Sequence, residues 1–385
     1  MANFVSKQKL INVVLHITND FSGSEVYKNL IQELDRLGIK QIVYTPVKTA
    51  SSIGKNKLEF RTSGSTVIYS HILNKSFDRL LYRRKIKKIF NDIESKIGVG
   101  EIDMIHAHTW YSDGGVAYKL HLKYGIPYVV TVRNTDLNIF QKYLFYERSY
   151  GRTVLANTKN VVLISASYKE RLLAESSLQK IKNGLRDKLK VIPNGVDRYW
   201  ITNANRKKKE INKNKFSILF IGKFTEGKNV LQLQAAVNEI NKDKVVAHLH
   251  LIGGGGGAHH KVTTRVRQNP TTMSFHGKIL DLGMLKEYFE LADIFAMPSK
   301  HETFGLVYVE ALLQGLPILY TQHEGIDGFY EEKIGEKVVI GDVAEIKEKL
   351  LKLVEDYHSY SIPTEKIIAH HDWRNIALEY QHLYK

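Results

Sequence analysis

Residues 294–317 read Ile-Phe-Ala-Met-Pro-Ser-Lys-His-Glu-Thr-Phe-Gly-Leu-Val-Tyr-Val-Glu-Ala-Leu-Leu-Gln-Gly-Leu-Pro, and this stretch determines the fold that we expect. The apolar run from Ile294 to Met297 predicts a buried strand, and a polar loop follows it. The helical stretch after the loop ends at Gly315 and Pro317, which are ordinary helix stop signals. A strand that leads through a short loop into a helix is typical of a parallel α/β sheet.

The same stretch predicts a binding site for a phosphorylated ligand. Backbone N–H groups at the start of a helix attract phosphate oxygens, so those of Phe304, Gly305 and Leu306 are expected to hold a diphosphate. Glu302 lies in the loop beside them, and Glu310 lies among apolar residues of the helix, where a lone charge is costly. A solvated helix face is the alternative for both carboxylates. We interpret them as acceptors of hydrogen bonds from sugar or ribose hydroxyl groups.

Strand-like and helix-like runs alternate along the whole chain, which predicts βαβ units and parallel sheets. A length of 385 residues suits two such domains. The charged stretch at residues 203–215 is expected to be an exposed linker between the halves. The predicted helices are residues 24–37, 77–97, 115–124, 166–175 and 373–384. The predicted strands are residues 13–17, 41–44, 66–70, 104–107, 128–132 and 161–165, then 218–222, 248–252, 273–276, 294–297, 318–320 and 337–340.

The composition indicates a globular protein. Apolar residues make up 43% and charged residues 25% of the chain, which excludes a disordered protein. The absence of cysteine excludes disulfides and thiolate metal sites and fits a reducing cytoplasm, where we expect the protein to be. The apolar run at residues 10–17 is interpreted as a first strand rather than a signal peptide. No run approaches the length needed to span a bilayer.

The net charge of +16 favours polyanionic partners. No nucleic-acid-binding motif is present, so we expect an anionic acceptor or a peripheral contact with the inner face of the cell membrane, and no nucleic acid. An amphipathic helix at residues 77–97 either docks on anionic lipid or packs an apolar stripe into the core under solvated charges, and we favour the core. Its apolar face is Ile86, Ile89, Phe90, Ile93 and Ile97, and its basic face is Arg83, Arg84, Lys87 and Lys88.

Several motifs, taken in order, resemble those of the retaining nucleotide-sugar glycosyltransferases of family four, which have the GT-B fold. The resemblance extends over nearly the whole chain and implies an α/β protein of two doubly wound, Rossmann-like domains that face each other across a cleft. It implies an acceptor-binding domain at residues 1–198, a donor domain at 199–365, and a final helix at 366–385 that crosses back to the first domain. The motifs are Ser22-Gly23-Ser24, His106-Ala107-His108, Pro193-Asn194-Gly195-Val196-Asp197, Gly222-Lys223, Gly227-Lys228 and Pro298 to Ala311.

The resemblance also implies which residues bind the donor, a nucleotide diphosphate sugar that serves as co-substrate without any other cofactor. Lys223 and Lys228 match a basic pair that stabilises the charge of the leaving diphosphate, and with Glu302 they are the implied catalytic residues. The first of the pair is often Arg in the family, so Lys223 replaces a bidentate group with a point charge. Because no Asp-x-Asp sequence occurs, we expect no metal ion. The other implied donor-binding residues are Gly23, Lys278, Ile279, Thr303, Phe304, Gly305, Leu306 and Glu310.

Four residues of the first half are expected on the acceptor side: His108, Arg133, Asn134 and Asp136. Many family members carry a His-Asp pair where Arg133 and Asn134 stand, so the role of that histidine is not carried over to this chain. Arg133 is expected to pair with an anionic acceptor, and Asp136 to supply a carboxylate. For His108, an ordinary hydrogen bond at a strand end is the equally supported alternative.

These expectations lead to one function and two alternatives. The resemblance implies a retaining transferase that moves a hexose or N-acetylhexosamine from a UDP sugar to a cell-surface polysaccharide, glycolipid or other glycoconjugate. A non-catalytic GT-B subunit that accompanies another transferase is one alternative, although it has no need of Lys223, Lys228, Glu302 and Glu310 together. A nucleotide-sugar epimerase on the same scaffold is the other.

Overall fold

The computed structural model describes residues 12–74, 78, 81–207, 209–244, 246–340 and 342–385. These residues form two parallel sheets with helices between successive strands, which confirms the predicted α/β architecture. The chain separates into two compact units. The first comprises Met1–Ile164, Lys169–Asn194 and Trp373–Lys385, and the second comprises Ser165–Tyr168 and Gly195–Asp372.

The first unit is built on a seven-stranded sheet with the order β3-β2-β1-β4-β5-β6-β7. The direction of winding reverses between β1 and β4, which pair directly with each other. The carboxyl ends of parallel strands at such a switch point form a natural ligand-binding crevice. Its strands are β1 (Val13–Ile17), β2 (Lys40–Pro46), β3 (Thr66–Ser70), β4 (Met104–Ala107), β5 (Tyr128–Val132), β6 (Asn160–Leu163) and β7 (Leu189–Val191).

The second unit has a six-stranded sheet with the order β10-β9-β8-β11-β12-β13, and its switch point lies between β8 and β11. The core around it is apolar, because both faces of the sheet are covered by helices. Its strands are β8 (Phe216–Gly222), β9 (Ala247–Gly253), β10 (Met273–Phe275), β11 (Ile294–Ala296), β12 (Ile318–Thr321) and β13 (Gly335–Val338).

Helices connect these strands along the whole chain. Those of the first unit are α1 (Glu25–Arg36), α2 (Tyr82–Lys96), α3 (Ser112–Tyr124), the single turn α4 (Gln141–Tyr143) and α5 (Arg148–Asn157). They are followed by α6 (Ala166–Ala174), which spans the unit boundary, and α7 (Lys182–Lys188). Those of the second unit are α8 (Arg198–Thr202), α9 (Val230–Ile240), α10 (His259–Gln268), α11 (Leu282–Leu291), α12 (Leu306–Leu313), α13 (Val343–Glu355) and α14 (Thr364–His371). The last helix, α15 (Trp373–Tyr384), packs on α1 of the first unit through Trp373, Ile376, Ala377, Tyr380 and Tyr384.

Residues 203–215 and strand β7 differ from what the sequence predicts. The expectation that residues 203–215 link the halves is wrong, because this segment lies within the second unit, where the N–H of Asn205 donates to the carbonyl of Leu313 at 2.7 Å. The chain passes from the first unit to the second between Asn194 and Gly195. Strand β7 was not expected, because three residues with a single lysine between two apolar positions give no periodic signal.

The amphipathic helix begins at Tyr82, and its expected start at Phe77 lies outside the described residues. Its apolar stripe is core: Ile86, Ile89 and Ile93 are buried, as is Ile97 just beyond the helix end. This is the interpretation that the sequence favoured. Over the ranges that the structure describes, no helix is both long enough and apolar enough to cross a bilayer.

Gly253 is the last residue of β9, where it pairs with Gly222 at the end of β8. The sequence suggests a flexible loop for the run of five glycines that begins here, yet the N–H of Gly253 donates to the carbonyl of Gly277 at 2.7 Å. Its φ is +126°, and an added Cβ would lie only 1.9 Å from the carbonyl oxygen of Gly222. Glycine is therefore required for the close approach of β9 to the end of β8.

A methyl group at this position is expected to destabilise the second unit. Gly253→Ala should lower the free energy of unfolding by about 2 kcal/mol or more, since it combines backbone strain with a steric clash. The matched control is Gly257→Ala in the same run, where nothing lies within 4 Å of an added Cβ. Urea unfolding monitored by circular dichroism would test this. Equal midpoints for the two variants would contradict the packing described.

Candidate functional site

The predicted donor site lies at the switch point of the second sheet. Two loops leave the carboxyl ends of the adjacent strands β8 and β11, one running to Lys228 and the other to Gly305. A backbone hydrogen bond joins them, because the N–H of Lys300 donates to the carbonyl of Gly227 at 2.8 Å. Parallel pairing of β8 with β11 brings these distant parts of the sequence together.

An ion pair between Lys228 and Glu302 connects the two loops. The Nζ of Lys228 donates to Oε2 of Glu302, and the side chains are 26% and 12% exposed, so the pair is partly shielded from water. The other carboxylate oxygen of Glu302 accepts from the N–H of Thr303 at 3.0 Å. The structure therefore unites Lys228, Glu302 and Thr303, three of the residues expected to contact the donor.

Glu324 holds the backbone of Glu302 from the loop after β12. Its carboxylate accepts from the N–H of Glu302 at 2.9 Å, and the carbonyl of Glu302 accepts from the N–H of Gly325 at 2.9 Å. Gly325 has a φ of +56°, and an added Cβ would lie 2.9 Å from the side chain of Glu302. Sequence reasoning missed Glu324, because only its position beside a glycine distinguishes it from other surface acids.

The start of α12 presents backbone N–H groups next to this ion pair. Gly305 precedes the helix in the left-handed conformation, with a φ of +79°. In the described structure, no acceptor is paired with the backbone N–H of Gly305, Leu306 or Val307. Unpaired N–H groups at a helix start carry partial positive charge and suit an anion. The side chain of Phe304, in contrast, is buried against Phe329 and His371, so only its backbone is available to a ligand.

Glu310 lies on α12, one turn further along the helix. Burial raises the pKa of its carboxyl group to about 7, and the negative charge of Asp197 adds to this effect. Among the described residues no cation is paired with Glu310, and a poorly hydrated carboxylate of this kind gains from hydroxyl donors brought by a ligand. The arrangement is suited to a ribose.

Of the remaining donor-side residues, three follow the carboxyl ends of strands of the second sheet, and one belongs to the first unit. Lys223 is exposed and directly follows β8. Lys278 is exposed and Ile279 is half-buried against the core, just after the turn at Gly277 that bonds to Gly253. Gly23 belongs to the first unit, where it ends a helical turn after β1. The roles of these four residues stay predictions.

Three buried histidines fill the corresponding edge of the first sheet. The Nδ1 of His16 and the Nε2 of His108 lie 3.0 Å apart, and His106 bonds to Tyr384 at 2.8 Å and to Thr131 at 2.9 Å. One ring nitrogen from each of the three histidines lies within 4.8 Å of the others, a spacing that could suit a metal ion. Burial lowers the pKa of His16 to about 3 and holds those of His106 and His108 well below the ordinary value. His108 is thus a neutral, enclosed group, and its expected acceptor contact stays a prediction.

Arg133 and Asp136 are close to His108, but they differ in availability. The side chain of Arg133 donates to the carbonyl of His108 at 3.4 Å and to Asn194 at 3.3 Å, and it retains partial exposure. Asp136 is 1% exposed, and its carboxylate accepts from the backbone N–H groups of Arg133, Trp110 and Tyr111 at 2.8 to 3.0 Å. It therefore fixes the loops after β4 and β5. Asn134 accepts a bond from Asn138 at 2.6 Å.

A buried carboxylate of the first unit was also missed by sequence reasoning. Asp113, in the first turn of α3, is fully buried, and burial raises its pKa to about 7 while the ammonium group of Lys85 opposes the shift. Burial lowers the pKa of Lys85 itself. Asn19 donates to Asp113, which attaches the loop after β1 to α3. Lys85 belongs to the basic stretch of α2, and no local pattern distinguishes it from its solvated neighbours.

The structural role of Asp136 leads to a testable difference. Asp136→Ala should lower the free energy of unfolding by about 3 kcal/mol or more, because it leaves buried N–H groups without an acceptor. Asn134→Ala, two residues away and partly exposed, should change it by less than about 0.5 kcal/mol. Thermal unfolding of both variants measures the difference. A fully stable Asp136→Ala protein with altered acceptor affinity would support the acceptor role instead.

Two families of known proteins match this chain. The family described as "Glycosyl transferases group 1" matches residues 201–369, and "Glycosyltransferase Family 4" matches residues 23–199.

The alpha-monoglucosyldiacylglycerol synthase of Acholeplasma laidlawii is 24% identical over 332 residues, covering 79% of this chain and 77% of that protein. The sucrose-phosphate synthase of Thermosynechococcus elongatus shares the fold with a TM-score of 0.71 at 18% identity, covering 97% of this chain and 98% of that one. Anabaena Alr3699/HepE, solved in complex with UDP, does so with a TM-score of 0.69 at 16% identity, covering 97% and 99%. The chain belongs to the group 1 glycosyltransferases of family 4 and has their GT-B fold.

Proposed function

We propose that this glycosyltransferase is a retaining, metal-independent hexosyltransferase of the cytoplasm. It transfers a hexose or N-acetylhexosamine from a UDP sugar to a polysaccharide, glycolipid or other glycoconjugate acceptor of the cell surface. The UDP donor is favoured by the likeness to Anabaena Alr3699/HepE, which was solved with UDP. A glycolipid acceptor is favoured by the relative named alpha-monoglucosyldiacylglycerol synthase.

The observation that carries this proposal is the ion pair of Lys228 with Glu302 beside the unpaired N–H groups of α12. A cation and a helix start meet at one end of the site, where a diphosphate would gain from both. A carboxylate lies next to them, where the sugar would be attached to that diphosphate. Glu310, further along the helix, then faces the ribose.

Each group has a defined task in the proposed reaction. Breaking the bond from the anomeric carbon to the diphosphate oxygen leaves an additional negative charge on the β-phosphate. Lys228, assisted by Lys223 and the N–H groups of α12, stabilises that charge as it develops. Donor binding would draw Lys228 away from Glu302 and toward the phosphate. The freed oxygen of Glu302 would then accept hydrogen bonds from sugar hydroxyl groups and stabilise positive charge at the anomeric carbon. These fixed cations and dipoles are the basis for proposing catalysis without a metal ion.

Removing either member of the ion pair should abolish most of the activity. Lys228→Ala and Glu302→Gln should each lower the rate of sugar transfer at least about a hundredfold, the usual loss for a group that stabilises charge in the transition state. Transfer would be followed with radiolabelled UDP sugars and a lipid or glycan acceptor fraction, in the presence of excess chelator. The pair Lys242 and Glu239, exposed on α9 and the turn after it, supplies matched controls in Lys242→Ala and Glu239→Gln.

Three results would count against the proposal. Near-normal transfer by both site variants would contradict the roles proposed for Lys228 and Glu302 in catalysis. Loss of wild-type transfer in the presence of chelator would show that the reaction needs a metal ion, for which the three histidines of the first unit are the candidate ligands. Isomerisation of the donor without any acceptor would identify an epimerase instead.

The raised pKa of Glu310 predicts that donor binding depends on pH. The ionised carboxylate accepts charge-assisted bonds from both ribose hydroxyl groups, whereas protonation turns one of its oxygens into a donor and weakens the other as an acceptor. With a pKa of about 7, Glu310 is mostly protonated at pH 6 and mostly ionised at pH 8. The affinity for UDP-glucose should therefore fall by about tenfold from pH 8 to pH 6. UDP-glucose is the suitable probe because its diphosphate is esterified at both ends and keeps a constant charge over this range.

Calorimetric titration of the wild type and of Glu310→Gln provides the test. The amide cannot ionise, so the variant should bind UDP-glucose more weakly at pH 8 and lose most of the dependence on pH. A pH dependence that is unchanged in Glu310→Gln would assign the titrating group elsewhere.

A further inference from the structure

A short segment of the first unit exposes an unusual number of large apolar side chains. We use the term aromatic surface for Ile139, Lys142, Tyr143, Phe145 and Tyr146. Tyr143 is 63%, Phe145 70% and Tyr146 57% exposed, and Ile139 is 40% exposed. Scattered exposed apolar residues are normal, but several within one short segment indicate a surface that binds something.

The fold holds this segment in place without using its aromatic rings. After β5 the chain forms a π-helical turn (Asp136–Phe140), then α4, and then a 3-10 turn (Phe145–Glu147). Its inward-facing side chains pack into the first unit: Leu137 and Gln141 are buried, and the ring centroids of Phe140 and Tyr111 are stacked 4.7 Å apart. The outward rings are therefore not required by the core.

The charge around the aromatic surface is positive. Lys142 is exposed at its centre, and no acidic residue occurs between Asp136 and Glu147. Asp136 is buried and bonded to backbone, and Glu147 is 6% exposed and paired with Arg83 at 2.7 Å. Arg84, the neighbour of Arg83 at the start of α2, is exposed and adds a further cation near the segment.

We propose that the aromatic surface docks the protein on a bilayer that contains anionic lipid. Tyrosine and phenylalanine rings favour the boundary between headgroups and acyl chains, and nearby lysine and arginine side chains attract anionic headgroups. The net charge of +16 adds long-range attraction to such a surface and repulsion between copies of this chain, which disfavours a dimer interface here. A glycan platform would combine its rings with carboxylate or amide acceptors for hydroxyl groups, and the exposed residues of this segment contain none. The proposal is independent of the reaction proposed above.

This surface differs from the basic helix considered from sequence alone. Several cations of α2 already have partners within the fold: Lys85 bonds to Ser112 at 3.1 Å, Lys88 lies 3.7 Å from Asp78, and Lys96 lies 3.0 Å from Asp92. Arg83 is likewise paired with Glu147, so the helix contributes Arg84 of its first turn rather than its whole basic face.

Sedimentation with lipid vesicles tests the proposal on the full chain. The wild type should bind phosphatidylglycerol-rich vesicles, and the triple variant Tyr143→Ser/Phe145→Ser/Tyr146→Ser should bind them at least about tenfold more weakly, since three apolar anchors are removed. Lys142→Glu should weaken binding severalfold and remove the preference over pure phosphatidylcholine vesicles. The matched control is Leu122→Ser/Leu378→Ser, which removes two exposed apolar side chains elsewhere in the first unit, 65% and 50% exposed, and should bind as the wild type does.

A fluorescent reporter provides an independent readout. The native tryptophans Trp110, Trp200 and Trp373 are buried, so a tryptophan introduced by Phe145→Trp would report on the aromatic surface alone. Its emission should shift to shorter wavelength with phosphatidylglycerol-rich vesicles and be quenched by brominated lipid. Unchanged vesicle binding by the triple variant, or a reporter that does not respond to bound vesicles, would overturn the proposal. So would a triple variant that still binds vesicles but no longer transfers sugar to a soluble acceptor, since that would identify an acceptor platform.

Discussion

The salt bridge between Lys228 and Glu302 is the interaction on which the candidate site depends. It joins loops that are far apart in sequence, and it can form only because β8 and β11 are neighbours at the switch point of the second sheet. The backbone bond from Lys300 to Gly227 fixes the distance between these loops, and Glu324 fixes the backbone of Glu302. A cation and a carboxylate are thereby held next to a helix start before any ligand arrives, which is the condition for electrostatic catalysis.

The two units share a strand order but differ in how they use the switch point. In the second unit this edge presents charged side chains and unpaired N–H groups that a ligand can engage. In the first unit the same edge is filled by neutral histidines and by Asp136. The carboxylate of Asp136 already accepts hydrogen bonds from three backbone N–H groups. Sites that bind by charge need rigid surroundings, and the buried polar groups of the first unit supply such rigidity to the loops that carry Arg133.

Much of the fold could be predicted, because buried parallel strands are continuous apolar runs flanked by turn residues. Strands β1, β3, β4 and β5 begin and end at the predicted residues. The sequence also predicts where Lys223, Glu302 and Gly305 lie, after a strand or at a helix start, while their roles in donor binding stay predictions. What could not be predicted depends on burial: the enclosure of His108, the burial of Asp113 within the field of Lys85, and the outward rings of Tyr143 and Phe145. In sequence, a charged or aromatic residue looks the same whether it is buried or exposed.

The central claim is that Lys228, Glu302 and the start of α12 form one binding site for a nucleotide diphosphate. A crystal structure of the protein with UDP tests it most directly. The account predicts a β-phosphate oxygen within about 3.2 Å of Lys228 Nζ and of the N–H groups at Gly305 and Leu306, with the ribose hydroxyl groups on Glu310. A structure in which UDP binds elsewhere while the salt bridge between Lys228 and Glu302 persists would contradict the account.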